Sequence, residues 1–198
     1  MLFIFTPAIH KNLVLLHNTP DDSFAYIAFL FLVVIICLMS KEKFPTTPAV
    51  LALKAQNADF TLHTYQYEER GGTKVSAKKL GVDEHCVIKT LVMEDETDKP
   101  LIILMHGDKE VSTKSLARMI GVKSVSPCNP VVAEKHTGYR VGGTSPFGTR
   151  KALPVYMEKT IADLPDIFIN AGSRGLLARM PSAELIRIIN PVTVSVAI

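Results

Sequence analysis

The sequence predicts an α/β fold, in which a compact mixed β-sheet is partly closed on itself and surrounded by helices. Strand-like and helix-like segments alternate irregularly, which argues against the regular βα units of a doubly wound parallel sheet. Two apolar, β-rich runs at residues 87–93 and 101–105 flank a short acidic turn and indicate a hairpin. The chain has 198 residues, of which 47% are hydrophobic and 21% charged, so it can bury one substantial core.

The secondary-structure elements before this hairpin are indicated by helix-capping residues and by the alternation of polar and apolar residues. Thr47 followed by Pro48 predicts a helix start, because the hydroxyl can cap the first turn and proline suits the first helical position. Residues 60–65 alternate in polarity as a strand does. Residues 75–80 form a predicted helix that ends at Gly81.

The elements after the hairpin follow the same signals. Helix starts are predicted at Ser112, Asn129-Pro130 and Ser182, with the helices ending near Ile120, Gly138 and Ile189. Further strands are predicted at residues 122–125, 153–157, 167–170, 176–180 and 192–196. Residues 170–175 (NAGSRG) indicate a tight turn between two of these strands.

The first forty residues include an uncharged apolar run of sixteen residues, 24–39. It falls just short of the roughly 17–20 residues that cross a bilayer. Three interpretations are open: an upstream extension from a misplaced start codon, a membrane anchor, and a buried core helix. Met39-Ser40-Lys41 resembles the start of a soluble protein and favours the first. We therefore predict an N-terminal extension at 1–38 and one cytoplasmic domain at 39–198; an anchor would also leave this domain facing the cytoplasm.

Charge and metal-binding residue types narrow the function. A formal net charge of +3 permits an anionic partner but lies far below that of bulk DNA binders. Cys37, Cys86 and Cys128 are scattered, and the six histidines form no ligand-spaced pair. The sequence therefore predicts no metal site, no cofactor and no DNA partner.

A glycine-rich stretch at residues 139–148 (YRVGGTSPFG) is the most distinctive part of the chain. Paired glycines let the backbone turn sharply and let a ligand approach main-chain N–H groups. Arg140, Arg150 and Lys151 flank the stretch, so it can hold a phosphate or a polarised carbonyl oxygen. An ordinary surface turn is the alternative.

Three polar side chains on predicted strands are candidates for the same site. Lys89 lies in an apolar strand, where an ammonium is tolerated only with partners or at the mouth of a cleft. Its alternative is an edge-strand lysine that points to water. Thr90 can donate a hydrogen bond or simply fill the strand, and Tyr65 ends the first strand with a phenol that can reach a site.

Two candidate nucleophiles are not supported by their surroundings. No His–Asp or His–Asn pairing is visible around Cys86, so a small buried hydrophobe is the favoured interpretation. Ser145 stands in GGTSP, which is not the G-x-S-x-G elbow of serine hydrolases. The sequence therefore predicts neither a cysteine nor a serine nucleophile.

Four motifs follow one another in this domain. They are Lys89-Thr90-Leu91 on a strand, His136-Thr137-Gly138-Tyr139, Gly142-Gly143-Thr144-Ser145-Pro146, and Asn170-Ala171-Gly172-Ser173-Arg174-Gly175. In this order they resemble the YbaK/EbsC family, free-standing relatives of the editing domain inserted in bacterial prolyl-tRNA synthetases. The similarity extends from about residue 47 to about residue 189 and leaves residues 1–38 outside it.

The resemblance implies hydrolysis of mischarged tRNA, most typically Cys-tRNA(Pro), by a partly barrel-like mixed α/β domain that uses no metal. In cysteine-specific members the substrate thiol attacks its own ester carbonyl, forms a thiolactone and releases the tRNA. The implied partners are the acceptor end of the mischarged tRNA and prolyl-tRNA synthetase.

The resemblance and the residues together define a candidate site. Lys89 corresponds to the essential lysine of the family, and the amides of Gly142 and Gly143 are expected to stabilise an oxyanion beside it. The predicted substrate-binding residues are Tyr65, Thr90, Thr144, Ser145, Pro146, Asn170, Gly172 and Leu177. The predicted contacts to tRNA phosphates are Arg140, Arg150, Lys151 and Arg174.

Three departures from the family pattern affect the amino-acid pocket. Leu177 stands where cysteine-specific members usually carry an acidic residue, and Asn170 stands where a serine is common. The segment between Tyr65 and Val75 is interpreted as lacking an aromatic residue often found there. A pocket of different size can suit alanine, serine or threonine instead of cysteine. A non-catalytic module that binds tRNA ends or a synthetase is the alternative from another functional class.

Overall fold

The computed structural model describes residues 44–198, which contain one eight-stranded mixed sheet and five α-helices. The strands are β1 (Thr61–Thr64), β2 (Val87–Asp95), β3 (Pro100–His106), β4 (Val125–Pro127), β5 (Val155–Glu158), β6 (Asp166–Ser173), β7 (Leu176–Pro181) and β8 (Val192–Val194). The helices are α1 (Pro48–Ala55), α2 (Gly72–Leu80), α3 (Thr113–Ile120), α4 (Pro130–Thr137) and α5 (Ser182–Ile189), and short 3-10 helices span Glu84–Cys86 and Lys159–Asp163.

The sheet mixes parallel and antiparallel pairs, as predicted. Its strands lie in the order β1-β7-β6-β2-β3-β5-β8, with β4 paired to the far end of β2. The predicted hairpin is present, because β2 and β3 are antiparallel, with Lys89 opposite Met105. Strand β2 also pairs in parallel with β6, where Val87 lies opposite Phe168. Strand β2 is therefore central in the sheet, but residues 89–92 have a strand partner on the β3 side only.

Two apolar clusters cover the two faces of the sheet. Alternate residues of β3 supply both, because successive side chains of a strand point to opposite faces. Ile102 and Leu104 pack in a cluster with α1 and α5, whereas Ile103 and Met105 pack in a cluster with α3. All four side chains are fully buried. The unbroken apolar run of β3 is thus explained by its burial on both faces.

Three predicted helix caps are confirmed and one is wrong. Thr47, Ser112 and Asn129 each accept a hydrogen bond from a backbone N–H in the first turn of the helix that follows. Ser182, by contrast, is the first residue of α5 rather than its cap. Its hydroxyl turns inward and donates to the carbonyl of Leu164 at 2.6 Å.

The predicted turn at residues 170–175 begins later than expected. Strand β6 continues to Ser173, and a bulge interrupts its pairing with β7 between Asn170 and Ser173. The amide of Gly172 donates to the side-chain oxygen of Asn170 at 2.8 Å, and this local bond shapes the bulge. The turn itself forms around Gly175, which has a φ of 77°.

The apolar run at residues 24–39 and the three interpretations of it lie outside the described residues. The boundary at residue 38 therefore stays a prediction. Within residues 44–198, no helix combines the length and the apolar character needed to cross a membrane.

Candidate functional site

A cleft of about 910 Å³ opens over β2, between the segment that leads into α2 and the glycine-rich stretch. It brings together residues that are far apart in the sequence. Eight of the predicted site residues line it: Tyr65, Lys89, Thr90, Gly142, Thr144, Asn170, Arg174 and Leu177.

Lys89 projects from the central strand β2 into this cleft. Its ammonium donates a hydrogen bond to the backbone carbonyl of Lys109, and its side chain is only partly exposed. Strand β2 is paired with β3 at Lys89 but reaches β6 only at Val87 and Ile88, so one edge of the strand is open beside the lysine, and the side chain lines the cleft there. The cation therefore sits at the mouth of a cleft with a fixed partner.

Thr90, the next residue of β2, also belongs to the cleft lining and carries an unsatisfied hydroxyl. Its Oγ1 atom is buried and has no hydrogen-bond partner among the described residues. Leaving such a group unpaired costs about 1–3 kcal/mol. Because successive side chains of a strand point to opposite faces, this hydroxyl lies on the other face of β2 from the Lys89 ammonium. Tyr65 also lines the cleft, and its hydroxyl is a potential donor, because burial, followed by the nearby Tyr67, raises the pKa of this phenol and keeps it protonated.

The glycine-rich stretch begins with a tight turn. The amide of Gly143 donates to the carbonyl of Arg140 at 2.8 Å, and Gly142 has a φ of 85°, as the third residue of a type II turn requires. A Cβ atom at Gly142 would lie 2.8 Å from the hydroxyl oxygen of Tyr67. Only glycine therefore fits this turn and its close approach to Tyr67.

The two glycines of this turn occupy different positions. Gly142 is exposed to the cleft, whereas Gly143 is buried behind it against the backbone of Ser173 and Arg174. The N–H of Gly143 is already engaged in the turn. Among the described residues, the amides of Gly142 and Thr144 have no protein acceptor. Both residues line the cleft, so these two amides, rather than that of Gly143, are the candidates for binding an oxygen atom there.

The bulge of β6 holds the turn in place. Asn170 donates from its side-chain nitrogen to the carbonyl of Gly142 at 3.2 Å and to that of Ser173 at 3.3 Å. Arg174 donates from Nε to the carbonyl of Val141 at 3.0 Å. Asn170 of the bulge and Arg174 of the turn that follows it therefore bind consecutive carbonyls of the glycine-rich turn.

Tyr67 is a cleft residue that the sequence interpretation missed. The segment between Tyr65 and Val75 does contain an aromatic residue, so the expectation that it lacks one is wrong. Tyr67 lines the cleft, and the guanidinium carbon of Arg174 lies 5.1 Å from the centre of its ring. Its spacing of two from Tyr65 was the available signal, because residues two apart in an extended segment share a face.

Three predicted substrate-binding residues lie outside the cleft lining. Ser145 is fully buried, and its Oγ accepts a hydrogen bond from the amide of Phe147 at 3.4 Å. Pro146 beside it is also buried. Gly172 faces the ring of Tyr139, which a Cβ atom would approach to 2.8 Å. These residues shape the loop from behind.

The predicted phosphate contacts divide into two groups. Arg174 lines the cleft, whereas Arg140, Arg150 and Lys151 are exposed and lie outside its lining. The amides of Arg150 and Lys151 donate to the last turn of α4, at 3.0 Å each. The Arg140 side chain lies 3.9 Å from Glu134 of the same helix. These three cations therefore cluster near the C-terminal end of α4.

The cysteines of the described region are not activated. Cys128 lines the cleft, but burial, with Glu94 nearby, raises the pKa of its thiol to about 11. Burial also raises the pKa of the Cys86 thiol, which is outside the cleft lining. Among the described lining residues none is a histidine, so the cleft hydroxyls have no imidazole base.

Comparison with known protein families shows that residues 69–188 match the model of the aminoacyl-tRNA editing domain. The chain is 30% identical over 114 residues to EbsC of Enterococcus faecalis, for which Cys-tRNA(Pro)/Cys-tRNA(Cys) deacylase activity has been proposed; the match covers 58% of this chain and 70% of EbsC. It is 27% identical over 110 residues to a proline–tRNA ligase of Thermodesulfovibrio yellowstonii, covering 56% of this chain and 18% of the ligase. A crystal structure of a protein proposed as a trans-editing enzyme for prolyl-tRNA synthetase superposes with a TM-score of 0.69 at 19% identity, covering 77% of this chain and 98% of that one.

Proposed function

The chain belongs to the aminoacyl-tRNA editing domain family, and we propose that it is a deacylase that clears mischarged aminoacyl-tRNA in trans. Cys-tRNA(Pro) is the leading substrate, because EbsC, for which that activity has been proposed, is 30% identical to this chain. The acceptor end of the tRNA is the bound partner, and prolyl-tRNA synthetase is the enzyme whose errors the protein removes.

The observation that carries this proposal is the composition of the cleft. Lys89, with its ammonium, and Gly142 and Thr144, whose amides have no acceptor among the described residues, line one cavity, and none of its described lining residues is a histidine. An aminoacyl ester is already activated, so a protein that positions it and stabilises an oxyanion supplies most of what hydrolysis requires. Such a cleft suits an ester substrate better than an amide, which needs stronger activation.

For a cysteinyl ester the substrate supplies the nucleophile. The thiol loses its proton to solvent, and its sulfur attacks the ester carbonyl to give a tetrahedral oxyanion that the loop amides stabilise. The C–O bond to the ribose then breaks, the ribose oxygen takes a proton, and free tRNA leaves with a thiolactone of cysteine. Water later opens the thiolactone. Lys89 either binds a phosphate of the terminal adenosine or stabilises the developing charge.

The amino-acid end of the pocket is apolar around Leu177. This side chain is 4% exposed and packs in one cluster with Ala77, Val87 and Phe168, with Tyr65 beside it. An apolar wall distinguishes side chains by size better than by polarity, since one methylene changes binding by about 10–200-fold. Alanine, serine and threonine are therefore alternative amino acids for the same reaction.

Positive side chains around the cleft suit the phosphates of the acceptor end. Arg174 is in the cleft, and Arg140, Arg150 and Lys151 form an exposed group beside α4. Such contacts weaken as salt rises, because binding releases counterions from the nucleic acid. The proposed role in translation implies a cytoplasmic location.

The decisive experiment incubates the full chain with Cys-tRNA(Pro), Ala-tRNA(Pro), Ser-tRNA(Pro) and Thr-tRNA(Pro) and follows loss of the ester. We expect faster loss than in buffer for at least one, and a decrease of about a hundredfold or more in the Lys89→Ala variant. Lys99→Ala is the matched control, because Lys99 is an exposed lysine in the turn that follows the same strand. Circular dichroism checks that each variant is folded.

A non-catalytic module that binds tRNA ends or a synthetase is the second candidate. Leu177 in the pocket favours it, since the family pattern implies an acidic residue there. Binding of tRNA without accelerated ester loss from any of the four substrates would select this function and overturn the deacylase proposal.

We also propose that residues 1–38 result from a misplaced start codon and that the domain comprises residues 39–198. The alternative is a hydrophobic anchor at residues 24–39. Mass spectrometry of the protein from its native cells distinguishes them, because a mature N-terminus at Met39 or Ser40 would remove the anchor.

A further inference from the structure

The first part of the loop between β3 and α3, residues 107–110, separates two cavities. Glu110 lines the large cleft, whereas Lys109 lines a second pocket of about 300 Å³ on the other side. The backbone carbonyl of Lys109 accepts the hydrogen bond from the Lys89 ammonium. The position of this loop therefore determines where the amine of Lys89 is held.

The two ends of the loop are fixed by backbone contacts. At the start, the Thr73 hydroxyl lies 3.1 Å from the carbonyl of Gly107, and a Cβ atom at Gly107 would collide with the carbonyl of Glu84. At the end, Glu110 and Ile198 exchange two backbone hydrogen bonds of 3.0 Å each. The segment between these anchors contains Asp108 and Lys109.

The middle of the loop is held by a side-chain pair. Asp108 Oδ1 lies 2.8 Å from Nδ1 of His85, in the segment that leads into β2. The His85 ring stacks on that of His106, with centroids 3.7 Å apart and an angle of 11° between the planes. The pair is thus supported by a second ring rather than free in solvent.

His106 is a rigid support for this stack. It is fully buried, and burial lowers its pKa, so the ring stays neutral near pH 7. Its Nδ1 lies 2.8 Å from the carbonyl of His85 and must donate to it, because a carbonyl oxygen only accepts. Nε2 then accepts from the Thr160 hydroxyl at 2.8 Å. Both ring nitrogens are satisfied, which fixes the ring.

We propose that Asp108 and His85 are positioning residues for Lys89: their bond fixes the Lys109 carbonyl, and this carbonyl orients the Lys89 ammonium towards the substrate. The role in turnover rests on the proposed deacylase function, whereas the effect on Lys89 itself does not. Neither Asp108 nor His85 lines the large cleft, so substrate binding need not depend on them.

The first test compares Asp108→Ala with Asp108→Asn in the full chain. Asparagine keeps an oxygen that accepts from Nδ1 of His85, whereas alanine removes it. We expect Asp108→Ala to lower kcat about tenfold or more with KM changed less than about twofold, because small displacements of a reacting group are costly. Asp108→Asn should recover most of kcat. His85→Ala should reproduce the Asp108→Ala result, and Asp163→Ala, at an exposed carboxylate elsewhere, is the control.

The second test measures Lys89 without any tRNA. Each variant is treated briefly with an amine-acetylating reagent, and acetylation of Lys89 is followed by mass spectrometry. Loss of its carbonyl acceptor frees the amine from a fixed hydrogen bond, so Lys89 should react about fivefold faster in Asp108→Ala and at the wild-type rate in Asp108→Asn.

Three results would overturn the proposal. They are unchanged acetylation of Lys89 in Asp108→Ala, equal loss of kcat in Asp108→Asn and Asp108→Ala, and a loss confined to KM. If the wild-type chain hydrolyses no mischarged tRNA, the deacylase function fails, and the acetylation rates still decide whether Asp108 and His85 position Lys89.

Discussion

The side-chain amide of Asn170 donates to the carbonyl of Gly142 at 3.2 Å, and this bond joins the bulge of β6 to the turn that brings Gly142 into the cleft lining. A second bond from the same nitrogen reaches Ser173, at 3.3 Å. One buried side chain therefore determines both the shape of the bulge and the position of the turn.

Replacing Asn170 with alanine should weaken activity more than it weakens folding. Two partly buried carbonyls lose their donor, which costs about 1–3 kcal/mol in the free energy of unfolding. The freed turn should lower kcat/KM about tenfold or more, because the amides of Gly142 and Thr144 are no longer fixed. Urea denaturation and steady-state deacylation measure the two effects. Asn170→Ser, which keeps a hydroxyl donor, should lie between; a fully active alanine variant would contradict this role.

Gly142→Ala should impair the cleft through the backbone. The φ of 85° disfavours any side chain, and the new Cβ would approach the Tyr67 hydroxyl to 2.8 Å. We expect a loss of about 1–3 kcal/mol in stability and a large loss of kcat. Adding Tyr67→Phe removes the hydroxyl contact but leaves the φ strain, so it should restore only part of the stability. Complete restoration by the double variant would show that the backbone strain is unimportant.

Leu177→Ala should broaden amino-acid selectivity. The change enlarges an apolar wall of the pocket, so kcat/KM for Thr-tRNA(Pro) relative to Ala-tRNA(Pro) should rise about tenfold. A cavity of this kind also costs about 2–5 kcal/mol of stability. Leu101→Ala is the matched control, because Leu101 is similarly buried, at 5% exposure, but packs in a separate cluster and is not part of the cleft lining. Equal ratios in both variants would place Leu177 outside the selectivity determinants.

Protonation of His106 should destabilise the fold in mild acid. Burial lowers its pKa below the ordinary value of 6.5, so below that pH the unfolded chain binds the proton more readily than the folded one. The free energy of unfolding therefore has its full value above pH 6.5 and decreases as the pH drops through the pKa of His106 in the folded chain. His85, Asp108 and Glu158 also face this ring and contribute to the measured slope.

His106→Gln should remove the share of this slope that His106 supplies, at most about 1.4 kcal/mol per pH unit for one proton. Urea denaturation of wild type and variant at several values between pH 5 and pH 7.5 measures it. Identical slopes for the two proteins would show that His106 does not titrate in this range.

Local signals in the sequence were sufficient for the fold class and the family. The caps at Thr47, Ser112 and Asn129 and the hairpin around Lys89 depend on residues close together in the chain, and all are present. The ordered motifs also indicated the family, which the match over residues 69–188 confirms.

The details of the cleft could not be predicted, because they depend on dihedral angles and distant partners. Gly142 and Gly143 are the same type of residue, and only the backbone conformation of the turn, with a φ of 85° at Gly142, decides which of them faces the cleft. The partner of Lys89 is a carbonyl twenty residues away, at Lys109, for which no side-chain pattern gives a signal. Ser145 has a hydroxyl of the kind that binds substrates, yet this side chain is fully buried and accepts a hydrogen bond from the amide of Phe147.

The pairing of β2 with β6 also has a consequence for synthesis on the ribosome. Val87 lies opposite Phe168, so the strand that carries Lys89 obtains one of its neighbours only after most of the domain has been made. Asn170 and Leu177 emerge still later. A chain released early would carry the lysine and the glycine turn but no assembled cleft, so editing capacity should appear only when translation of the domain is nearly complete.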